Sequence, residues 1–403
     1  MRTIRVVAAA IVVVGASALL IRFLLKSPNG ETTERTSAHS EIIAFEGSAD
    51  WPMFHGGQNL LGRAAGTLAD KLRPIWKFKT EGAVTASPVV EAGVVYVGSS
   101  DANVYAIDIE TGSQIWAART DDAIEAAACV VGDAVYVGDS YGFVHALDKK
   151  DGSAKWKYET GGQIVGGANW IASPDGQHTW ILVGSYDNML HCVDSESGEA
   201  VWKYETDNYV NGTPAIDSGQ TVFGGCDAII HVISVTDGNE VREVDSGAYI
   251  AGSAAFFEGH VYVGNYDGEF LKVDARSGEV LWRYGDKEYP FLSSPAIGRD
   301  EVVFGGQDNK VHCVGREDGK PIWTFNTLGE VDGSPAICAD KVVVGSMDGR
   351  LYVISLSNGS LVWSYEIGQA ISSSPAISNG VVVVGGEDGY VYAFGPDRSG
   401  RDG

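Results

Sequence analysis

An eleven-residue pattern recurs along this chain at nearly constant spacing, and no other feature restricts its fold so strongly. The pattern runs from an apolar residue and an Asp through a Gly turn to a Trp, as in AIDIETGSQIW. Its end positions are Trp76, Trp116, Trp156, Trp202, Arg242, Trp282, Trp323 and Trp363. They lie 40, 40, 46, 40, 40, 41 and 40 residues apart. A fixed period of this length is typical of propellers, solenoids and other repeat arrays.

Each repeat contains four short segments with the composition of β-strands. The first is a small-residue segment such as VTASPVV, and the second is a β-branched segment such as VVYVG. After a turn at an Asp comes a third segment such as NVYAID, and after the Gly turn comes the fourth, which contains the Trp. Such alternation and punctuation are typical of antiparallel hairpins. Eight small-residue segments occur, the last repeat lacks a Trp strand, and Trp76 belongs to a Trp strand without a repeat. The sequence therefore predicts an all-β, eight-bladed β-propeller of four-stranded blades, in which the N-terminal strand closes the last blade and protects its edge.

The Trp and Gly of the pattern are predicted to hold neighbouring blades together. An indole can stack on the peptide of the adjacent blade at the Gly turn, because Gly permits close backbone approach. These positions are therefore structural rather than catalytic. The predicted docking residues are Trp76, Trp116, Trp156, Trp202, Trp282, Trp323, Trp363, Gly112, Gly152, Gly198, Gly278, Gly319 and Gly359. Arg242 replaces Trp in the fourth repeat, so its junction is expected to be the weakest.

The N-terminal region has a different composition. Residues 4–25 form a long apolar run flanked by basic residues, which indicates an export signal or a membrane anchor. We expect an uncleaved span that leaves the propeller on the periplasmic or extracellular side. The segment DWPMFHGG that follows is expected to cover one end of the domain. The predicted divisions are a signal anchor or signal peptide over 1–26, a flexible linker over 27–49, the propeller over 50–396 and a C-terminal tail over 397–403.

Charge and cysteine usage exclude some classes of function. The formal net charge of −24 repels nucleic acid, so no nucleic-acid partner is expected. The acidic surface fits either a salty environment or a protein partner. The five cysteines are scattered and form no Cys-x-x-Cys motif, so they predict neither a disulfide framework nor a haem site.

The repeat pattern, the SSPAI-type strands and the DWPMFHG opening resemble the PQQ-like (quinoprotein) repeat family of eight-bladed propellers, over residues 50–396. This resemblance implies either a pyrroloquinoline quinone-dependent dehydrogenase or a non-enzymatic propeller of the BamB type, which belongs to the outer-membrane assembly machinery. The fold alone does not choose between them. The adjacent Cys-Cys pair of the dehydrogenases is absent from this sequence, and the repeats carry few insertions.

The turns before the small-residue strands are expected to line the mouth of the central channel. Within this column Glu125, Asn211 and Asp332 form the one set of oxygen ligands. Calcium needs six to eight converging oxygens, and residues this dispersed would meet only across a narrow channel. We therefore expect a polar channel lining and no cofactor, with pyrroloquinoline quinone and calcium as the alternative. No column supplies the arginines that a tricarboxylate cofactor would favour.

Two segments are candidates for contact with a protein partner. Residues 169–184 lengthen the third repeat by six residues and contain Trp170, His178 and Trp180. The second segment, DKEYPFL, contains Tyr289 and Phe291. Exposed aromatic residues are enriched at binding hot spots, although a simple lengthened hairpin also explains the first segment. The histidines at one repeat position are interpreted as strand residues rather than metal ligands; they are His145, His191, His231 and His312.

Together these features predict a membrane-tethered, exported propeller that acts as a non-catalytic scaffold for protein interactions. A role in envelope or outer-membrane protein assembly is implied by the resemblance alone. The alternatives are a pyrroloquinoline quinone-dependent dehydrogenase and a propeller that binds a small molecule, such as a sugar, at the channel mouth.

Overall fold

The repeat folds into a ring of antiparallel sheets. The computed structural model describes residues 49–396, and these residues form eight sheets. The predicted all-β, eight-bladed propeller is therefore confirmed. Blades 1 to 4 contain β3 (Val89–Glu91), β4 (Val94–Gly98), β5 (Asn103–Asp108), β6 (Gln114–Arg119); β7 (Cys129–Val131), β8 (Ala134–Gly138), β9 (Phe143–Asp148), β10 (Ala154–Glu159); β11 (Asn169–Ala172), β12 (Thr179–Ser185), β13 (Met189–Asp194), β14 (Ala200–Glu205); β15 (Ala215–Asp217), β16 (Gln220–Gly224), β17 (Ile229–Ser234) and β18 (Glu240–Asp245).

Blades 5 to 8 repeat this order. They contain β19 (Ala255–Phe257), β20 (His260–Gly264), β21 (Phe270–Asp274), β22 (Val280–Tyr284); β23 (Ala296–Ile297), β24 (Glu301–Gly306), β25 (Lys310–Gly315), β26 (Pro321–Asn326); β27 (Ala336–Cys338), β28 (Lys341–Gly345), β29 (Arg350–Ser355), β30 (Leu361–Glu366); β31 (Ala376–Ser378), β32 (Val381–Gly386), β33 (Tyr390–Pro396) and β2 (Leu72–Lys79). The N-terminal strand β2 pairs antiparallel with β33, with Trp76 opposite Ala393, so the ring closes as the sequence predicts.

Burial changes from strand to strand across each blade. Every residue of β8 is buried, because both faces of this β-branched strand pack against neighbouring sheets. The outer strand β10 alternates between exposed and half-buried residues, which is the pattern of a strand with one wet face. The innermost strands of neighbouring blades, such as β3 and β7, contact one another around the channel.

Residues 51–64 close one end of the ring. They contain a single-turn helix, Phe54–Gly56, and a short strand β1 (Arg63–Ala64) that pairs parallel with β27. Carbonyl groups of this segment accept hydrogen bonds from the innermost strands of six blades. The donors are the backbone N–H groups of Val90, Val130, Ile216, Phe256, Ile297 and Ile337. We call residues 51–64 the closing segment.

The predicted membrane anchor, linker and C-terminal tail lie almost entirely outside the described residues. Within residues 49–396, no helix is long and apolar enough to cross a membrane.

Candidate functional site

The docking tryptophans form a repeated junction between blades. The indole of Trp76 in blade 8 lies on Gly112 of blade 1, so close that a Cβ built on Gly112 would be 2.6 Å from its Cγ. Gly112 has a φ of +71°, which a side chain would strain. The Trp76 Nε1–H also donates to the carbonyl of Ile109 at 2.7 Å. Each junction therefore combines stacking, close backbone approach and one hydrogen bond.

The same geometry recurs around the ring. The indole and glycine pairs are Trp116 on Gly152, Trp156 on Gly198, Trp202 on Gly238, Trp282 on Gly319 and Trp323 on Gly359. Gly238 belongs to this set, although the interrupted fourth repeat concealed it from the sequence analysis. At the exceptional junction the Cδ of Arg242 takes the place of the indole above Gly278. The Nε of Arg242 is buried and has no hydrogen-bond partner among residues 49–396. The position equivalent to Gly112 for Trp363 would follow Pro396, beyond the described residues.

Three of the four histidines connect a tyrosine of the preceding blade to a turn aspartate of their own blade. The Nε2 of His191 lies 3.0 Å from a carboxylate oxygen of Asp187, and its Nδ1 lies 3.0 Å from the hydroxyl of Tyr158 in the preceding blade. Because a carboxylate only accepts, Nε2 carries the proton and Nδ1 accepts from Tyr158. Burial would raise the pKa of Asp187, but the hydrogen bond from His191 and the N–H of Gly161 hold it down to about 2.

Equivalent contacts occur in other blades. Tyr204, His231 and Asp227 form one such chain, and Tyr284, His312 and Asp308 form another. In blade 1 the hydroxyl of Tyr105 takes the place of the histidine and donates to Asp101 at 2.8 Å. These groups satisfy one another across blade junctions, so we assign them a structural role.

One cluster has the residue types of a metal site. Among residues 49–396, His145, Asp139 and Asp121 bring potential ligand atoms within 4.8 Å of one another. His145 Nε2 lies 2.7 Å from Asp139 and 3.7 Å from Asp121. Lys157 neutralises Asp121 at 3.0 Å, and the other oxygen of Asp139 accepts the N–H of Phe143. The cluster is thus the blade-2 version of the histidine–aspartate contact.

The channel mouth contains a small cavity of about 240 Å³. Glu125 and Asn211 line it together with Val165 and Ala251, and Phe54 of the closing segment also faces it. Asp332 is not among the lining residues of this cavity, and one of its carboxylate oxygens accepts a hydrogen bond from Gln307 at 3.2 Å. The structure therefore brings together two of the three predicted oxygen ligands.

The cavity lies on the side of the channel where side chains are smallest. In each of blades 4 to 8, a backbone N–H group of the inner segment donates to a side-chain hydroxyl in the inner segment of the next blade. In blade 4, for example, the N–H of Thr213 donates to the hydroxyl of Ser253 at 2.9 Å. The other acceptor hydroxyls are those of Ser294, Ser334, Ser374 and Ser87. In blades 2 and 3 the equivalent residues are Ala127 and Gly167, which carry no hydroxyl. Space therefore remains between blades 2 and 5.

This cavity does not fit pyrroloquinoline quinone with calcium. Glu125 is its one charged lining residue, and no Arg or Lys lines it to meet three carboxylates. Only Glu125 and Asn211 among its lining side chains carry a carboxylate or amide oxygen, whereas calcium takes six to eight oxygen ligands. Its volume is also below the usual range of cofactor pockets, about 300–1,000 Å³.

The partner-contact role of the two predicted segments stays a prediction, but several of their residues are less exposed than expected. Trp170 and Trp180 do not lie on an exposed loop; they occupy the paired strands β11 and β12 and are half-buried against the core. His178 is exposed and contacts Asp194 at 3.1 Å. Phe291 is only 4% exposed, because its ring packs on Phe304 in the core.

Tyr289 remains a candidate for contact with a protein partner, because half of its surface area is exposed. It borders a groove of about 590 Å³ between blades 5 and 6, which also includes Arg283, Lys310 and Lys320. Each of these cations is already paired with a carboxylate, as Lys310 is with Asp308 at 2.7 Å.

The cysteines offer no reactive thiol in the core. Cys129, Cys192, Cys313 and Cys338 are buried and free, and burial raises the pKa of Cys129 to about 12. A thiol held protonated in this way is a poor nucleophile.

Comparison with known proteins gives a consistent family signal. The family model described as outer membrane protein assembly factor BamB matches residues 67–169, 166–248 and 307–401. The solved structure of BamB from Moraxella catarrhalis is 20% identical, with a TM-score of 0.68, over 81% of this chain and 98% of that one. Quinohemoprotein alcohol dehydrogenase from Comamonas testosteroni is 15% identical, with a TM-score of 0.73, over 87% of this chain and 81% of that one. At these identities the structural likenesses show the fold alone. No curated protein sequence matches significantly.

Proposed function

The chain belongs to the PQQ-like propeller family represented by the BamB model, and from this premise we propose that it is a non-catalytic scaffold for protein interactions. Its partners are other envelope proteins, and its role is in the assembly of outer-membrane or other envelope proteins. The propeller supplies a rigid ring, and the exposed loops at its ends supply the contact surfaces.

The chemistry of the channel is the observation that carries this proposal. A dehydrogenase of this family fold would need the channel to hold a triply anionic cofactor, whereas here Glu125 repels one and the closing segment blocks the far end. The histidine–aspartate chains stabilise blade junctions, and the buried thiols are protonated. The propeller can therefore serve as a rigid frame for partner proteins.

The proposal includes a location. The apolar run over residues 4–25 holds the chain at a membrane, and the propeller lies on the exported side. Fusion of a reporter that is active only after export, placed after Pro396, tests this orientation. Activity of the fusion supports it, and an inactive but stable fusion contradicts it.

The scaffold function is tested by crosslinking in the native host. A photoreactive phenylalanine analogue is placed at Tyr141 on one end of the ring and at His178 on the other, both of which are exposed. We expect one position to trap a discrete envelope protein and the other to serve as the matched control. Deletion of the gene should also lower the amount of folded outer-membrane β-barrel protein. Unchanged barrel levels, together with no crosslink at either end, would rule out the assembly role.

A titration separates this function from the enzymatic alternative. The purified chain is mixed with pyrroloquinoline quinone and calcium, and cofactor absorbance and dye-linked alcohol oxidation are followed. We expect no saturable binding. Saturable binding with turnover would replace the scaffold by a quinoprotein dehydrogenase.

A further inference from the structure

One of the four histidines at the same repeat position lacks the environment of the other three. In blades 3, 4 and 6 a tyrosine of the preceding blade lies at hydrogen-bond distance from the histidine Nδ1, as Tyr158 does from His191 at 3.0 Å. A hydroxyl that donates to Nδ1 keeps the proton on Nε2, which then cannot bind a metal ion. The residue of blade 1 at the position of Tyr158 is Ala118, so His145 in blade 2 receives no such bond. Its proton can therefore lie on Nδ1, which leaves Nε2 as a ligand atom.

The buried carboxylate beside His145 also comes from a different position of the repeat. Asp139 stands where blade 3 has Ser185, and not where it has the turn aspartate Asp187. One oxygen of Asp139 accepts the N–H of Phe143 at 2.9 Å, and the other lies 2.7 Å from His145 Nε2. The side chain of Asp139 is fully buried. This carboxylate is therefore held with one oxygen directed at the histidine.

A second carboxylate approaches the same nitrogen from a neighbouring loop. The N–H of Ser140 donates to the carbonyl of Ala123 at 2.9 Å, which joins the loop of Asp139 to that of Asp121. Asp121 Oδ2 lies 3.7 Å from His145 Nε2, and the three ligand atoms lie within 4.8 Å of one another. A tetrahedral zinc ion with bonds of about 2.0–2.1 Å separates its ligand atoms by about 3.3 Å. The two distances from Nε2 lie on either side of this value, so small side-chain shifts bring all three atoms to bonding distance.

A cation of the protein itself already contacts this cluster. Lys157 lies opposite His145 on the outer strand, and its Nζ is 3.0 Å from Asp121 Oδ2. The same Nζ lies 4.0 Å from the centroid of the Phe143 ring. Because 43% of the Lys157 side chain is exposed, its ammonium group can turn into water when a metal ion takes its place.

We propose that His145, Asp139 and Asp121 form a binding site for a zinc ion. One imidazole nitrogen and two carboxylate oxygens are ligand types that zinc takes, and three protein ligands leave its fourth position to water. Calcium and magnesium prefer oxygen ligands, so the imidazole selects against them. The side chain of Asp121 is 42% exposed, so the ion can enter from solvent. This site goes beyond the proposed scaffold function and does not depend on it.

Calorimetry with the purified full chain in mild detergent tests the site. The chain carries a purification tag without histidine, and the probes are zinc chloride, magnesium chloride and calcium chloride. We expect one zinc ion to bind per chain, and magnesium and calcium to bind at least about tenfold more weakly. Absence of zinc binding, or binding of magnesium or calcium as tight as that of zinc, overturns the proposal.

A matched pair of variants separates the site from the general negative field of the protein. Asp121→Asn removes one ligand, whereas Asp207→Asn removes the same charge from the equivalent position of blade 4. Within residues 49–396, Asp207 belongs to no group of three side chains that could hold a metal ion. Both residues are exposed, so both variants should melt like the parent in the absence of metal.

The two variants should differ in zinc affinity. Loss of even an outer hydrogen-bond partner of a metal ligand costs about 10–100-fold in affinity, so we expect Asp121→Asn to weaken zinc binding about tenfold or more and Asp207→Asn less than about twofold. His145→Gln should abolish the binding, because it removes the one nitrogen ligand. Equal losses in the two aspartate variants, or zinc binding that survives His145→Gln, would overturn the site.

Discussion

At the scale of single residues, the indole junctions help to hold neighbouring blades together. Replacing Trp202 with Ala removes the stack on Gly238 and the hydrogen bond to Val235, and leaves a cavity beside the core of blades 3 and 4. We expect Trp202→Ala to lower the free energy of unfolding by about 3 kcal/mol, measured by denaturant titration. Val201→Ala is the control, because its side chain is 41% exposed. Equal, small effects of the two variants would refute the docking role.

The fourth junction offers the reverse test. Arg242 covers Gly278 with its aliphatic stem but leaves its buried Nε without a partner within residues 49–396. An indole there could donate to the carbonyl of Ala275, the equivalent of the carbonyl that Trp116 reaches. We expect Arg242→Trp to stabilise the protein by about 1 kcal/mol, seen as a higher melting temperature. A lower melting temperature would show that this junction is already optimised for arginine.

The aspartate–histidine chains predict a pH dependence. The pKa of Asp187 is about 2 in the folded protein, below the unfolded value of about 3.9. A depressed carboxyl pKa contributes stability above the unfolded value, and this contribution is lost as pH falls through the folded value. We expect Asp187→Asn to be less stable than the parent at pH 7, with the difference shrinking between about pH 4 and pH 2. Unfolding by denaturant at several pH values measures it. The exposed Asp207→Asn is the control, and a difference that does not vary with pH would refute this linkage.

At the scale of structural elements, the closing segment joins the blades from one end. Its carbonyls satisfy buried N–H groups on the inner strands of six blades, which would otherwise be left without partners. We expect a chain lacking residues 1–48 to melt like the full chain, whereas a chain lacking residues 1–64 melts at a much lower temperature, although both keep β2. Differential scanning calorimetry compares them. Identical melting of the two truncations would show that the closing segment adds no stability.

At the scale of the whole molecule, the net charge of −24 sets the response to salt. The excess negative charges repel one another, and raising the ionic strength from about 0.01 M to 0.15 M shortens the screening length from about 30 Å to about 8 Å. We therefore expect the melting temperature to rise over this range in sodium chloride. A fall would indicate that the surface ion pairs outweigh the repulsion.

The sequence by itself determined the architecture. The fixed period predicts the number of blades, and the unmatched Trp76 strand predicts how the ring closes. The Gly turns predict where the indoles stack, except for that of Trp202 on Gly238. These features depend on local sequence pattern and on contacts between equivalent positions of neighbouring repeats. They can therefore be recognised by aligning the repeats of one sequence with each other. Even the exception at Arg242 is visible in the sequence.

Only the tertiary structure shows which residues at equivalent repeat positions lie close together and line the same cavity. Glu125, Asn211 and Asp332 occupy equivalent positions of the repeat, yet the cavity is lined by the first two alone, because the small Ala127 and Gly167 leave space on that side of the channel. Phe291 is buried for a related reason: the longer loop before blade 6 turns its ring into the core. The period of the repeat determines the position of each backbone segment in the ring. The contacts and burial of each side chain depend in addition on the volume and polarity of its neighbours in other blades.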